Sequence, residues 1–296
     1  MTTFGGQFAS VFGDSLRSGA SQRISCAAVV IIATFQPLWA SAAFVFGGWN
    51  EERAGGFALD APLATAGILG TLEPEFPGIT VVTTKTLTTE FLTGVDVLLL
   101  STSDSFGSII DPLGASESSA LYTYVLNGGA AILLADGEFT AGVQEVNDSM
   151  TAMFGVHVGG VVSGIRTAVP TSKTHPIMNG PFGEVTSMGT FYPGWVTDLG
   201  PYATSIGKIS VNGQPFLAVI PAHALSPLSG PVIIIGDPAP YVPGLYGNTE
   251  TLLLNTFAFI PEPSTMVLSA MSVVPLGIIV LRQQRRRLSI PRRSSP

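Results

Sequence analysis

Four carboxylates stand where a sheet protein would do chemistry. Asp104, then Asp136 with Glu138, then Asp237 follow apolar runs at residues 95–100, 130–135 and 232–235 that read as buried strands. Ligands of open α/β sheets bind outside the carboxyl ends of the strands, so these side chains are placed to converge on one crevice. Oxygen ligands suit a hard cation, and calcium with sugar hydroxyls is the ion such a set would take. Asp136 or Glu138 would also serve as general acid and base, since paired carboxylates are the usual minimum for glycoside cleavage. The plainer reading is that an aspartate after a strand closes a turn or caps a helix.

The other reactive side chains add little. No two of His157, His175 and His223 have the i, i+4 spacing of a zinc helix. They read as core or turn residues, with His175 in a turn before Pro176 and His157 and His223 among apolar neighbours. Trp49, Asn50 and Trp195 follow glycine- or proline-rich stretches. They are placed either to meet a sugar ring or to extend the core. There is no phosphate loop and no G-x-G-x-x-G fingerprint.

The elements that must hold these residues alternate. Runs at 43–46, 79–82, 95–100, 130–135, 216–220 and 232–235 are short and rich in Val, Ile and Leu. They suit a parallel sheet covered on both faces. Ser116 is placed to cap a helix with Ala120, Leu121, Tyr124 and Val125 on one side, stopped at Asn127-Gly128-Gly129. A second helix is expected over 140–154, closed by Gly155. A third follows Asn248, with Leu252, Leu253, Leu254, Phe257 and Ile260 as its apolar side. Residues 156–215 carry recurring Gly and Pro and read as loops with short antiparallel strands. The pattern predicts an open doubly wound, mostly parallel α/β sheet.

Both ends of the chain read as addresses. Arg17 and Arg23 precede an apolar run at 24–33, and Ala40-Ser41-Ala42 supplies a small-x-small site. This is the form of a secretory leader, exported through the Sec translocon and cut by signal peptidase between Ala42 and Ala43. At the other end Pro261-Glu262-Pro263 precedes an apolar span at 264–281, followed by Arg282, Arg285, Arg286, Arg287, Arg292 and Arg293. The span is just long enough to cross a bilayer as a transmembrane helix, and the arginines would keep residues 282–296 in the cytoplasm. The only cysteine, Cys26, lies in the leader, so the mature chain has neither thiol nor disulfide. Gly13-Asp14-Ser15-Leu16 spells the serine block of a lipase family, but it precedes the leader. None of the three histidines has the Asp three residues before it that this family uses.

What remains is one domain, residues 43–260. Of the 20 acidic residues only Asp14 and Glu262 lie outside it, leaving 18 against Arg53, Lys85, Arg166, Lys173 and Lys208, a formal charge near −13. Such a surface repels nucleic acid and anionic polymer.

The terminal triad of Pro-Glu-Pro, apolar span and arginine cluster resembles the PEP-CTERM sorting signal, here at 261–287. The resemblance implies an exported protein of a polysaccharide-producing Gram-negative bacterium. It passes through an inner-membrane intermediate and is processed by an exosortase-type transpeptidase. The domain itself is similar to the class I glutamine-amidotransferase-like superfamily. The matching stretches are Val95 to Leu100, Leu126-Asn127-Gly128-Gly129, Ala131 to Ala135, His175-Pro176-Ile177 and Gly236-Asp237. Active members carry a cysteine in a Gly-x-Cys-x-Gly turn after the strand that here ends at Ala135. This chain has Asp136-Gly137-Glu138 instead, so the likeness implies the fold without glutamine hydrolysis. Three functions follow: a non-catalytic surface or matrix protein associated with exopolysaccharide, a carboxylate-dependent glycan hydrolase, or a membrane-retained scaffold subunit.

Overall fold

The apolar runs pair into one mixed sheet, close to where their composition puts them. The computed structural model describes residues 44–62, 65–105, 108–241 and 247–260. The expected leader with its Ala42–Ala43 bond, and the segment from Pro261, Glu262 and Pro263 through Arg285, Arg286 and Arg287, lie outside the described residues. Among the described residues no helix is long and apolar enough to cross a membrane.

The first half of the chain supplies β1 (Val45–Trp49), β2 (Thr80–Thr84), β3 (Val97–Ser101), β4 (Ser103–Ser105), β5 (Ser108–Ile109) and β6 (Ala130–Leu134). The second supplies β7 (His157–Gly159), β8 (Ile165–Pro170), β9 (Asn179–Gly180), β10 (Gly183–Glu184) and β11 (Met188–Phe191). Then come β12 (Trp195–Asp198), β13 (Thr204–Ile209), β14 (Pro215–Ile220) and β15 (Val232–Ile235). The α-helices used below are α1 (Glu51–Ala54), α2 (Thr89–Thr93), α3 (Ala115–Leu126), α4 (Val143–Thr151) and α5 (Thr249–Phe259).

The main sheet has nine strands in the order β11-β8-β13-β14-β15-β6-β3-β1-β2. Strands β2, β1, β3, β6 and β15 run parallel to one another. Taken in chain order these five have the 2-1-3-4-5 arrangement of flavodoxin-like sheets. Strands β14, β13, β8 and β11 extend the sheet antiparallel. Of the antiparallel strands expected within 156–215, β8, β11 and β13 belong to the main sheet, while β7 with β12 and β9 with β10 form separate two-stranded sheets. The run at 216–220 departs from expectation: as β14 it is antiparallel to both neighbours. The short links on either side, one turning at Gly213 with φ 71°, leave no room for the crossover that parallel pairing needs.

Each face of the sheet buries a separate core. On one side Phe46, Val97, Leu99, Ile132 and Ile233 meet Leu69, Leu72 and the α5 residues Leu252, Leu253 and Phe257. The Phe257 ring stands edge-on to Phe46 at 5.1 Å, a favourable aromatic geometry. On the other side Leu98, Leu100, Leu133 and Ile234 meet Leu92 of α2, Leu121 and Val125 of α3, and Val146 and Met150 of α4. Helices therefore cover both faces, as the unbroken apolar runs require.

Two helix starts differ from expectation. Helix α3 begins after Gly114, not at Ser116, which is exposed. Glu117 does the capping: its Oε2 accepts the Gly114 N–H at 3.0 Å while Oε1 accepts that of Leu87 at 3.0 Å. Helix α4 begins at Val143, after Gly142 at φ 92°. A 3₁₀ turn, Ala152–Phe154, continues it and does end at Gly155, whose φ of 75° is the left-handed stop.

Buried Asn255 of α5 fixes the segment 177–183 to the sheet. Its Oδ1 accepts the Phe182 N–H at 3.1 Å, and its Nδ2 donates to the carbonyls of Ile177 at 3.3 Å and Gly183 at 2.9 Å. Replacing Asn255 with Leu adds apolar volume yet strands three backbone groups. We expect a loss of about 3 kcal/mol in urea unfolding; a neutral or stabilising change would contradict this role.

Candidate functional site

Strands β6 and β15 are adjacent and parallel, with Leu134 opposite Ile235. The chain leaves both at the same level, so Asp136 and Asp237 emerge side by side at their carboxyl ends. Neither reaches solvent: they are 5% and 1% exposed.

Among the described residues, each hydrogen bond to the pair comes from an N–H or O–H donor. The Ser103 hydroxyl donates to Asp136 Oδ2 at 2.5 Å, and the Gly137 N–H to Oδ1 at 2.8 Å. Asp237 accepts the Ala239 N–H on Oδ1 at 2.7 Å and the Phe191 N–H on Oδ2. None of the ion pairs among the described residues involves either carboxyl. Burial pushes Asp136 up to about 7, with the bonds from Ser103 and Gly137 pulling back. Asp237 is pushed well above the usual carboxylate range, by burial first and by the charge of Asp136 second. Two buried carboxyls that raise one another and have no ion-pair partner among the described residues hold at least one proton near neutrality.

The site is built from several elements. Asn147 of α4 clamps the backbone of Asp136, accepting its N–H at 3.1 Å and donating to its carbonyl at 2.9 Å and to that of Val158 at 3.2 Å. Ser103 is tied back through Ser101, whose hydroxyl donates to the Ser103 carbonyl at 3.2 Å; the Trp49 indole donates to the Ser101 carbonyl at 3.2 Å. Residues 191–194, between β11 and β12, form a strap across these turns. The Gly194 N–H donates to the Gly236 carbonyl at 2.8 Å. A Cβ on Gly137 would meet the Tyr192 carbonyl at 2.2 Å, and one on Gly236 would meet the Gly194 carbonyl at 2.5 Å. The strap lies on bare backbone, so the turn after β6 has no room for a side chain at Gly137.

Of the four expected carboxylates, Asp136 and Asp237 come together. Glu138 is exposed and its Oε1 accepts the Gly160 N–H at 2.8 Å, so Asp136 and Glu138 do not face one another as acid and base. Asp104 falls in β4, and its side chain lies outside the described residues. Among the described residues no three His, Cys, Asp or Glu side chains gather as a metal-ligand group, whereas calcium takes six to eight oxygens. The turn-closing role is partly realised, since Asp237 receives the Ala239 N–H at the start of the 3₁₀ turn Ala239–Tyr241.

The remaining candidates are structural. Trp49 is buried, with the Arg53 guanidinium 4.9 Å from its ring centroid, and Asn50 caps α1 by accepting the Arg53 N–H at 3.2 Å. Trp195 packs against Gly160. His157 and His223 are not among apolar neighbours: His157 pairs with Asp148 at 2.8 Å on the surface, and exposed His223 lies 2.9 Å from the Pro227 carbonyl. His175 accepts the Ile177 N–H at 3.2 Å and leans on Phe259; burial lowers its pKa. Sequence reasoning missed Ser103, Asn147 and the strap. Ser101-x-Ser103 directly after a buried strand was the one local signal for them.

No family model and no curated protein matches this chain. Among solved structures it is similar to the mmIFT52 N-terminal domain, at 14% identity over 73% of this chain and 96% of that one, with a TM-score of 0.54. It is also similar to a ThuA-like protein from Bacteroides uniformis, at 16% identity over 75% of this chain and 94% of that one, with a TM-score of 0.47. A cytoplasmic protein from Salmonella typhimurium is 17% identical over 73% of this chain and 98% of that one, with a TM-score of 0.47. The first of these likenesses shows the fold alone.

The raised carboxyls make stability depend on pH. A carboxyl whose folded pKa exceeds its unfolded value takes up a proton on folding at pH values between the two. Stability is then greatest below the unfolded value and falls as pH rises through the folded one. For Asp136 that window runs from 3.8 to about 7, worth on the order of 4 kcal/mol. Asp136→Asn mimics the protonated acid. We expect the drop in melting temperature between pH 4.5 and 7.5 to be smaller in the variant by roughly 5–10 °C; equal drops would refute the assignment.

Proposed function

We propose that this chain is an exported protein, sorted by a PEP-CTERM signal, whose α/β domain binds at the cell surface or in the extracellular matrix and catalyses nothing. The observation that carries this reading is the terminal order of Pro261-Glu262-Pro263, an apolar span and the cluster Arg285-Arg286-Arg287. The leader ahead of Ala43 and the strongly acidic domain support it, since both fit a soluble body outside the cell. The non-catalytic part is supported by the turn Asp136-Gly137-Glu138, which lacks the cysteine of active amidotransferases and has backbone packed against Gly137. The implied partners are the translocon, signal peptidase, an exosortase-type transpeptidase, the inner membrane in transit and exopolysaccharide; nucleic acid is not among them.

A second reading keeps a specific observation in its favour. Asp136 titrates near 7 beside a second carboxyl, the state a general acid needs. A hydrolase of extracellular glycans would use it, and turnover abolished by Asp136→Asn would establish that reading. A membrane-retained scaffold would instead keep its arginine tail in mature cells.

The decisive comparison is the mass and location of the mature species in source cells with and without the sorting peptidase. With it, we expect a species lacking residues 1–42 and the arginine segment, at the surface or in the medium. Without it, the arginine-tailed form should accumulate in the inner membrane. Full-length chain dissolved in cytosol would overturn the proposal.

A further inference from the structure

The roof over the acid pair presents an unusual outer surface. Phe191 and Ile165 face each other across β11 and β8 and are 48% and 52% exposed. Tyr192 stands edge-on to Phe191, with ring centroids 4.9 Å apart and planes at 76°. Phe46, Phe154, Phe216 and Tyr241 are fully buried. The exposed Tyr202, Val211 and Leu228 are spread through separate loops, where single apolar residues are ordinary.

The backbone beneath these rings is strained and held from several sides. Tyr192 has φ 55°, a left-handed conformation that costs a bulky residue on the order of 1 kcal/mol. Its N–H donates to the Gly164 carbonyl at 3.1 Å, and the Pro193 carbonyl accepts the Val162 N–H at 2.9 Å. The Phe191 N–H is taken by Asp237 and the Gly194 N–H by Gly236. Phe191 is exposed and Tyr192 only half-buried, so strain maintained by this many anchors adds little to the core. It does pre-organise a contact surface, which removes part of the ordering cost of binding.

We propose that Phe191, Tyr192 and Ile165 form a platform for one uncharged sugar ring of a polysaccharide, which rests on the binding-domain reading above and names its ligand. The apolar C–H face of a pyranose matches the face of an aromatic ring, and the Tyr192 hydroxyl supplies the polar edge such a ring needs. The three side chains are uncharged, the adjacent Arg166 guanidinium donates to the Ile165 carbonyl at 3.0 Å, and the formal charge of the domain, near −13, works against a uronate or sulfated chain. The size of the patch argues against a protein partner: stable interfaces bury roughly 800 Å² and 20–30 residues a side, and this surface offers three side chains.

Calorimetry on the full chain in a sugar-free detergent tests the platform, with cellohexaose, mannohexaose and a mannuronate hexamer as probes. Tyr192→Gly removes the ring but keeps a residue at ease with positive φ, and Phe191→Ala trims an exposed side chain, so both variants should unfold at or above the parent temperature. At least one neutral hexamer should bind more tightly than the mannuronate, and each variant should weaken that binding tenfold or more. Unchanged binding in both variants, tighter binding of mannuronate, or no binding of either neutral hexamer overturns the platform. Correct sorting without binding sinks the platform alone. Neutral-glycan binding by a chain that is never exported sinks the sorting reading alone.

Discussion

Two carboxyl groups buried side by side, with no ion-pair partner among the described residues, set the terms for the carboxyl end of this sheet. Asp136 and Asp237 are brought together because β6 and β15 are parallel neighbours that end at the same level. Burying an unpaired charge is far costlier than burying a hydrogen-bonded acid. The pair therefore keeps a proton, and the surrounding N–H and O–H groups all serve as donors to it. Ser103, Gly137, Ala239 and Phe191 each come from a different stretch of chain. Satisfying two acids draws those stretches into one place.

The strap follows from that requirement. Phe191 must stay at the end of β11 to reach Asp237, and the chain must then cross the turns after β6 and β15 without clashing. Gly137, Gly194 and Gly236 make the crossing possible, because backbone rests on backbone where any Cβ would collide. The crossing leaves Tyr192 at positive φ with its ring beside Phe191. A closed inner side and an exposed aromatic outer side thus have a single cause.

Much of the fold was legible because unbroken Val, Ile and Leu runs have few places to go. The strands at 95–100, 130–135 and 232–235, and the helix after Asn248 with its Leu252, Leu253 and Phe257 face, sit where periodicity places them. The direction of 216–220 was not legible, since apolar content does not encode the sense of a strand; link length does. Ser116 misled because a serine at a helix start is a generic cap, whereas Glu117 reached Gly114 and Leu87 through tertiary placement. At the site, the convergence of Asp136 and Asp237 was expected from their places just after two buried strands, and the pairing of β6 with β15 realises it. The outward turn of Glu138 did not, because it depends on Gly160, far along the chain. The strap was invisible for the same reason: its partners Gly164, Gly236 and Asp237 are distant in sequence, and only packing joins them.

The account stands on a proton kept by the buried pair, and the carboxyl carbons report it directly. A carbon-13 NMR titration of the chain labelled at aspartate side chains should reveal two resonances, assigned by substitution at Asp136 and Asp237, that stay protonated after every exposed carboxyl has ionised, with one midpoint near 7. Two midpoints in the ordinary range near 4 would mean that both groups meet water or a cation, and that the end of the sheet is open.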